Sequence, residues 1–348
     1  MGEQKQKKVH FEVMRIIAIF GVLFCHTGVY GVSHYLEANN GVNYWLGIFL
    51  ASVAQFCVPL FLMISGGVLL NREESIGYVY RHRVLKMVLA TLLATLIQYQ
   101  WNRYKNPLMP PLNLNYFFRF SYEGSVSSQN WFLYSYISFL LLLPFLQRLV
   151  KVLTEKAWFL YIFGIWVVFN GVFPVLEYYQ EWNRTELALS VHSFIIYSML
   201  GYYLEHRCGE SFYRKKNMLI VLGGTVLIAL VNMWLNHDSL QKYNAIKFGS
   251  AYALVYAAAV FVLIKYICQR WKMPSVMEKV FCFAGAGVFG TYIIEETLRD
   301  IFFPIYLYLN TRIFSYPAVF VWIAVCVLVG VSATSLLKRI PGISKVIP

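Results

Sequence analysis

The sequence predicts an all-α, polytopic integral membrane protein with about ten transmembrane helices and both termini in the cytoplasm. Three observations predict it. Of the 348 residues, 59% are hydrophobic and only 14% are charged, whereas soluble domains are roughly half apolar and about a quarter charged. Apolar stretches close to the ~20 residues that a bilayer core requires recur along the whole chain. The basic residues fall in short clusters between those stretches, as membrane topology demands.

The expected spans are 11–32, 45–70, 84–101, 130–150, 157–177, 190–205, 217–235, 247–268, 280–303 and 313–337. With the N-terminus inside, the cytoplasmic segments hold 21 of the 30 basic residues, and each holds at least three. Lysine and arginine concentrate on the cytoplasmic side of membrane proteins, so topology accounts for the net charge of +13 and nucleic-acid binding is rejected. Aromatics make up 18% of the chain, and many lie near span ends, where interfacial belts form. The apolar run after MGEQKQKK is too long for a signal peptide and lacks a small-residue cleavage site. Gln6 stands where a myristoylation pattern needs Ser or Thr. The six cysteines, Cys25, Cys57, Cys208, Cys268, Cys282 and Cys326, predict no disulfide framework and show no metal-ligand spacing. No internal repeat and no soluble second domain are visible, so residues 1–348 read as one transmembrane domain.

The first span carries the most informative pair. Arg15 lies near the start of MRIIAIFGVLFCHT, and His26 lies eleven residues on. That spacing is close to three turns, so the two share nearly one helix face, roughly 16 Å apart along the axis. Ionisable groups inside a membrane span are costly and read first as functional. The alternative is a snorkelling Arg15 and a His26 that only bonds a neighbouring helix. Cys25 points about 100° away from His26 and reads as packing.

The second span contains Ser65-Gly66-Gly67, either a notch for helix packing or a substrate contact. At the start of the third, Arg81, Arg83 and Lys86 could hold phosphate or merely anchor the helix. The outer loop from about Asn102 to Asn130 is long and without obvious structure. Its Tyr116, Phe117, Phe118 and Tyr122 could stack on a sugar, or the segment could lie on the bilayer. The fourth span opens with Gln129-Asn130-Trp131, facing either a cavity or the interface. In the ninth, Glu295 falls at a depth matching that of His26 and could orient the imidazole, while Glu296 reads as interfacial. His10, His34, His82, His206 and His237 read as solvated, and His192 is ambiguous.

Together these stretches resemble the membrane-bound acyltransferase 3 family over most of the chain. Arg15 through His26 matches the family's Arg/Lys-x10-His motif. Phe61 to Gly66, FLMISG, is similar to its FFxxSG motif, with Leu62 for the second Phe. Arg83-Val84-Leu85-Lys86 resembles its RxxR motif, with Lys86 for the second Arg. WFLYSYISFLLLLP and SMLGYYLE also look like family segments. GTYIIEE resembles a stretch usually read YLIH followed by Glu or Pro, with Glu295 where His is common. The resemblance implies a multi-pass enzyme of the bacterial cytoplasmic membrane. It would move an acyl group, commonly acetyl from acetyl-CoA, to a hydroxyl of a cell-surface glycan or its lipid-linked precursor, with no metal. In that reading His26 is the base or a transient acyl carrier. Arg15, Arg83 and Lys86, with Arg81 and Ser65 nearby, hold the donor or orient the site. Two rival readings are a proton-coupled secondary transporter and an inactive, family-related sensor or binding module.

Overall fold

The computed structural model describes residues 8–38, 41–124, 126–180, 193–243, 246 and 252–340. Among these there is no strand. In chain order the helices are α1 Val9–Cys25, α2 Val42–Val53, α3 Cys57–Leu69, α4 Ile76–Val79, α5 Leu85–Lys105, α6 Leu114–Glu123, α7 Trp131–Val152, α8 Lys156–Val167, α9 Phe173–Gln180, α10 Ser193–His206, α11 Lys215–Tyr243, α12 Ala253–Arg270, α13 Ser275–Asn310 and α14 Ser315–Leu337. A 3-10 turn joins α2 to α3, and single π turns join α4 to α5 and α8 to α9.

Eight helical stretches among the described residues are long and apolar enough to cross a bilayer: Val42–Leu69, Ile76–Lys105, Ser128–Val152, Lys156–Gln180, Lys215–Lys242, Ala253–Arg270, Ser275–Asn310 and Ser315–Leu337. The shorter α1, of 17 residues, and α10, of 14, lie where the first and sixth spans are expected. The protein is an all-α polytopic membrane protein. His192 and the start of the eighth expected span lie outside the described residues.

Two local expectations are corrected. The first helix stops at Cys25 instead of running to residue 32, because Gly28 takes a left-handed φ of 56°, a conformation that glycine adopts without a Cβ penalty. The long outer loop is not structureless. It carries α6, whose N-terminus is capped by Asn113 through Oδ1, 2.8 Å from the Tyr116 N–H. Such Asn caps satisfy a backbone donor that the first turn leaves open.

The described residues form two compact units, 1–72 with 147–285, and 73–146 with 286–348. In the first unit, α3 and α10 meet backbone to backbone. A Cβ on Gly66 would overlap the Ser198 backbone, and one on Gly201 would overlap that of Met63. Small residues permit such close approach where lipid supplies no hydrophobic drive between helices. Polar bonds join the other helices. Asn236 Nδ2 donates to Ser52 Oγ at 2.8 Å, and Asn232 Nδ2 donates to Tyr256 Oη at 3.0 Å, linking α11 to α2 and α12. Apolar side chains of α1 (Met14, Ala18, Ile19, Leu23) and α3 (Leu60, Leu62, Met63) are fully buried.

In the second unit, α13 and α14 use the same device. A Cβ on Gly290 would strike the Thr334 side chain, and one on Gly330 would strike Thr291. Lys338 Nζ donates to the Ala286 carbonyl at 2.9 Å. Helix α6 turns Ser121 inward, where its carbonyl accepts from Tyr134 Oη at 2.6 Å, while Leu114, Phe118 and Tyr122 are exposed one turn apart. An exposed apolar stripe at that spacing is the pattern of a helix lying in the bilayer interface.

Candidate functional site

The first unit holds Arg15 and His26 on α1. Arg15 sits two turns into the helix, and its Nη1 donates to Glu12 Oε1 at 2.6 Å. His26 is the residue that closes the helix. Its backbone N–H is shared between the Val22 and Leu23 carbonyls, both at 3.1 Å. A shared N–H is common where a helix tightens at its end. The next residue, Thr27, is buried and fixes the reversal of the chain. Its Oγ1 donates to the Phe24 carbonyl at 2.6 Å and accepts from the Val32 N–H at 2.9 Å. The imidazole is therefore displayed at a helix terminus, half-buried, on a turn whose hydrogen bonds are satisfied. Cys25 beside it packs inward, with Sγ 3.7 Å from the Ala54 carbonyl and 4.0 Å from Cys57 Sγ, so packing is what it does there. None of the six cysteines is in a disulfide.

The Ser65-Gly66-Gly67 segment lies in the same unit, and its glycines serve packing. Besides the Gly66 contact above, a Cβ on Gly67 would come within 3.1 Å of Phe11. Ser65 Oγ donates to the Phe61 carbonyl at 2.9 Å, the back-bond that helical Ser commonly makes.

One buried cluster of this unit has no counterpart in the sequence reading. Glu205, at the end of α10, accepts from Lys8 Nζ at 2.6 Å and His10 Nε2 at 3.2 Å, and lies 3.0 Å from Lys265 Nζ. Lys265, only 4% exposed, also donates to the Leu204 and Glu205 carbonyls, both at 3.0 Å, and so caps α10. The neighbouring His206 donates Nε2 to the Gly67 carbonyl at 2.7 Å. At the other end of the unit, His237 Nδ1 is 2.7 Å from Tyr44 Oη, and its ring lies against Trp45. His10, His206 and His237 are thus packed groups and not solvated ones. Their chain positions suggested loops, but α1, α10 and α11 extend over them.

The second unit holds the remaining candidates. Arg83 lies in the π turn Tyr80–Val84, a distortion often found at functional places. Its Nε and Nη2 meet the two oxygens of Glu74 at 2.6 and 2.5 Å. Arg81 is exposed and Lys86 half-buried. Glu295 is buried, with Oε2 2.6 Å from Arg299 Nε one turn along α13. The Gln129 side-chain amide, oriented to donate to Glu295, accepts from Arg299 Nη2 at 2.6 Å. Glu296, read from sequence as simply interfacial, accepts from Ser127 Oγ at 3.0 Å, with Lys105 Nζ 3.9 Å away. Asp300, one turn beyond Glu296, accepts from Trp101 Nε1 at 2.8 Å and Lys105 Nζ at 2.6 Å.

A family model for an acyltransferase domain matches residues 9–337. That match takes in every described helix, and most of both units. The chain belongs to the acyltransferase 3 family. No curated protein matches the chain, and no solved structure does. Family membership makes this a membrane acyltransferase, which moves an acyl group from a donor to an acceptor and releases the remainder of the donor. Among the buried polar residues around these candidates, sequence reasoning passed over Glu12, Thr27 and Glu205. Glu12 was within reach, since a carboxylate three residues before an arginine on a helix can pair with it. Thr27 and Glu205 gave no such local sign.

Proposed function

We propose that this acyltransferase transfers an acetyl or other short acyl group from cytoplasmic acyl-CoA to a hydroxyl of a glycan or lipid-linked sugar, in a bacterial cytoplasmic membrane. The observation that carries the reading is α1 itself, with a guanidinium held near its start and an imidazole displayed at its end. His26 is the base that takes the proton of the acceptor hydroxyl, or the residue that carries the acyl group between donor and acceptor. Charge developing on that imidazole faces the partly negative C-terminal end of the α1 dipole. Arg15 binds an anionic part of the donor. Arg81 and Lys86 add positive charge for phosphate, while Arg83 is committed to Glu74 and shapes the turn that presents them. Ser65 lines the notch. The thioester of the donor supplies an activated acyl group, so the protein's task is to place it and to move one proton.

The test is acetyl-CoA hydrolysis or exchange by the protein purified in detergent, wild type beside His26→Ala. The expected result is turnover in the wild type and its loss in the variant, with the thermal transition preserved. Wild-type turnover in His26→Ala would remove His26 from the chemistry. Glu295→Gln separates a reacting carboxylate from a structural one. A pH profile of transfer that overlays the wild type assigns Glu295 to Arg299 and Gln129 alone.

A further inference from the structure

We infer that Glu12 is the positioning residue for Arg15, held in place by Gly285, and that it turns the open edge of the Arg15 fork toward an anionic group of the donor. This rests on the reading of Arg15 as a donor-binding residue. Glu12 lies one turn before Arg15 and is 4% exposed, while the Arg15 side chain is 31% exposed. The carboxylate is thus the fixed partner, and the guanidinium reaches outward from it.

The two oxygens of Glu12 have different surroundings. Oε1 accepts from Arg15 Nη1, whereas Oε2 is buried with no hydrogen-bond partner among the described residues. A buried polar atom left without a partner is costly and calls for a reason. Gly285, about three turns into α13, supplies one. A Cβ there would overlap Oε2 and would stand 2.7 Å from Glu12 Cβ and 3.0 Å from its Cα. Oε2 thus lies over the bare α-carbon of Gly285, where only a weak C–H contact is on offer. The close approach of these two helix segments sets the carboxylate, and leaves Oε1 as the oxygen that faces Arg15.

The consequence is an arginine engaged through one terminal nitrogen. Among the described residues, Arg15 meets Glu12 through Nη1, which leaves the parallel N–H pair of Nε and Nη2 for a second partner. That edge matches the two oxygens of a phosphate or carboxylate. Arg83 makes the contrast, because its Nε and Nη2 edge is filled by Glu74.

The experiment measures acetyl-CoA binding and hydrolysis by the full chain in detergent for Arg15→Ala, Glu12→Gln, Gly285→Ala and the Arg15→Ala/Glu12→Gln double variant. Arg15→Ala and Glu12→Gln are each expected to weaken binding about tenfold or more, as loss of a charged hydrogen bond does. The double variant should bind no worse than Arg15→Ala alone, since both changes remove one arrangement. Gly285→Ala alters no charge and should weaken binding in the same direction. A merely structural Glu12 would lower the thermal transition and leave the affinity of the folded fraction unchanged. Affinity within about twofold of wild type in Glu12→Gln, with Arg15→Ala defective, overturns the proposal and leaves the donor reading standing. Wild-type affinity in Arg15→Ala overturns both. If Glu12→Gln does not fold, Gly285→Ala decides, and wild-type affinity there overturns the proposal.

Discussion

Glu205 and Glu295 are buried to the same degree, each with a side chain 2% exposed, but they are held in different ways. Glu295 finds its cation four residues along its own helix. Glu205 gathers Lys8, His10 and Lys265, residues up to 197 positions away in the chain. The charged pair of the first arrangement is set by α13 itself, with Gln129 from the turn before α7 as its one added partner. The second exists only when the start of α1, the end of α10 and the middle of α12 are together. A helix-local charge pair therefore needs no distant counter-charge, and a hub of distant partners ties three elements.

The largest expected effect follows from that difference. Glu205→Ala leaves Lys265 buried beside two carbonyls without its counter-charge, while the half-exposed Lys8 returns to water. Breaking a buried pair on one side costs about 3–5 kcal/mol, and the thermal transition of the detergent-solubilised protein should fall accordingly. A loss below about 1 kcal/mol would show that the carbonyls of Leu204 and Glu205 suffice for Lys265, and the hub would cease to be a tie.

Gly201→Ala sharpens the same point without touching charge. A methyl there overlaps the Met63 backbone, which cannot rotate away as a side chain can. Overpacking costs about 1–3 kcal/mol, and the upper end is expected here. An unchanged thermal transition would mean that α3 and α10 part without penalty.

Glu295→Gln should cost less than Glu205→Ala. Glutamine keeps an acceptor for Arg299, and what is lost is the charged character of one hydrogen bond, about 1–3 kcal/mol. A larger loss than that of Glu205→Ala would reverse the ranking of helix-local and long-range partners. The smallest effect belongs to the exposed Arg119–Glu123 pair on α6, 2.9 Å apart, where solvent screens the attraction. Arg119→Ala should leave the transition where it is, and a measurable shift would show that α6 is held by charge and not by its inward face.

Much of the fold was legible because its cause is local. Apolar runs of bilayer length and clusters of basic residues mark helices wherever they pack, and apart from the short α4 and α6 the helices from α2 to α14 fall close to the expected spans. The misplaced ends have local causes too. Gly28 stops α1 seven residues before hydropathy alone would, and the Asn113 cap builds α6 inside a loop that composition made look irregular. The candidate site was legible in part. The eleven-residue spacing of Arg15 and His26 is a property of the sequence, and so is the Glu12–Arg15 pair in retrospect. The fate of Arg83 was not, because whether an arginine fork is open depends on where Glu74 comes to rest nine residues back, across a turn.

By itself the sequence determined the membrane-embedded all-α architecture, the order of its spans, the spacing of Arg15 and His26 and membership of the acyltransferase 3 family, since each depends on composition or on residues a few turns apart. The tertiary structure alone decided which ionisable groups have partners and which edges stay open. Glu205 becomes a hub, His10, His206 and His237 become packed groups, and Gly285 comes to lie under Glu12 because helices distant in sequence meet. The physical reason is that a helix fixes its own face but not its neighbour's. In the low-polarity interior, a charge is defined by the neighbour it is given.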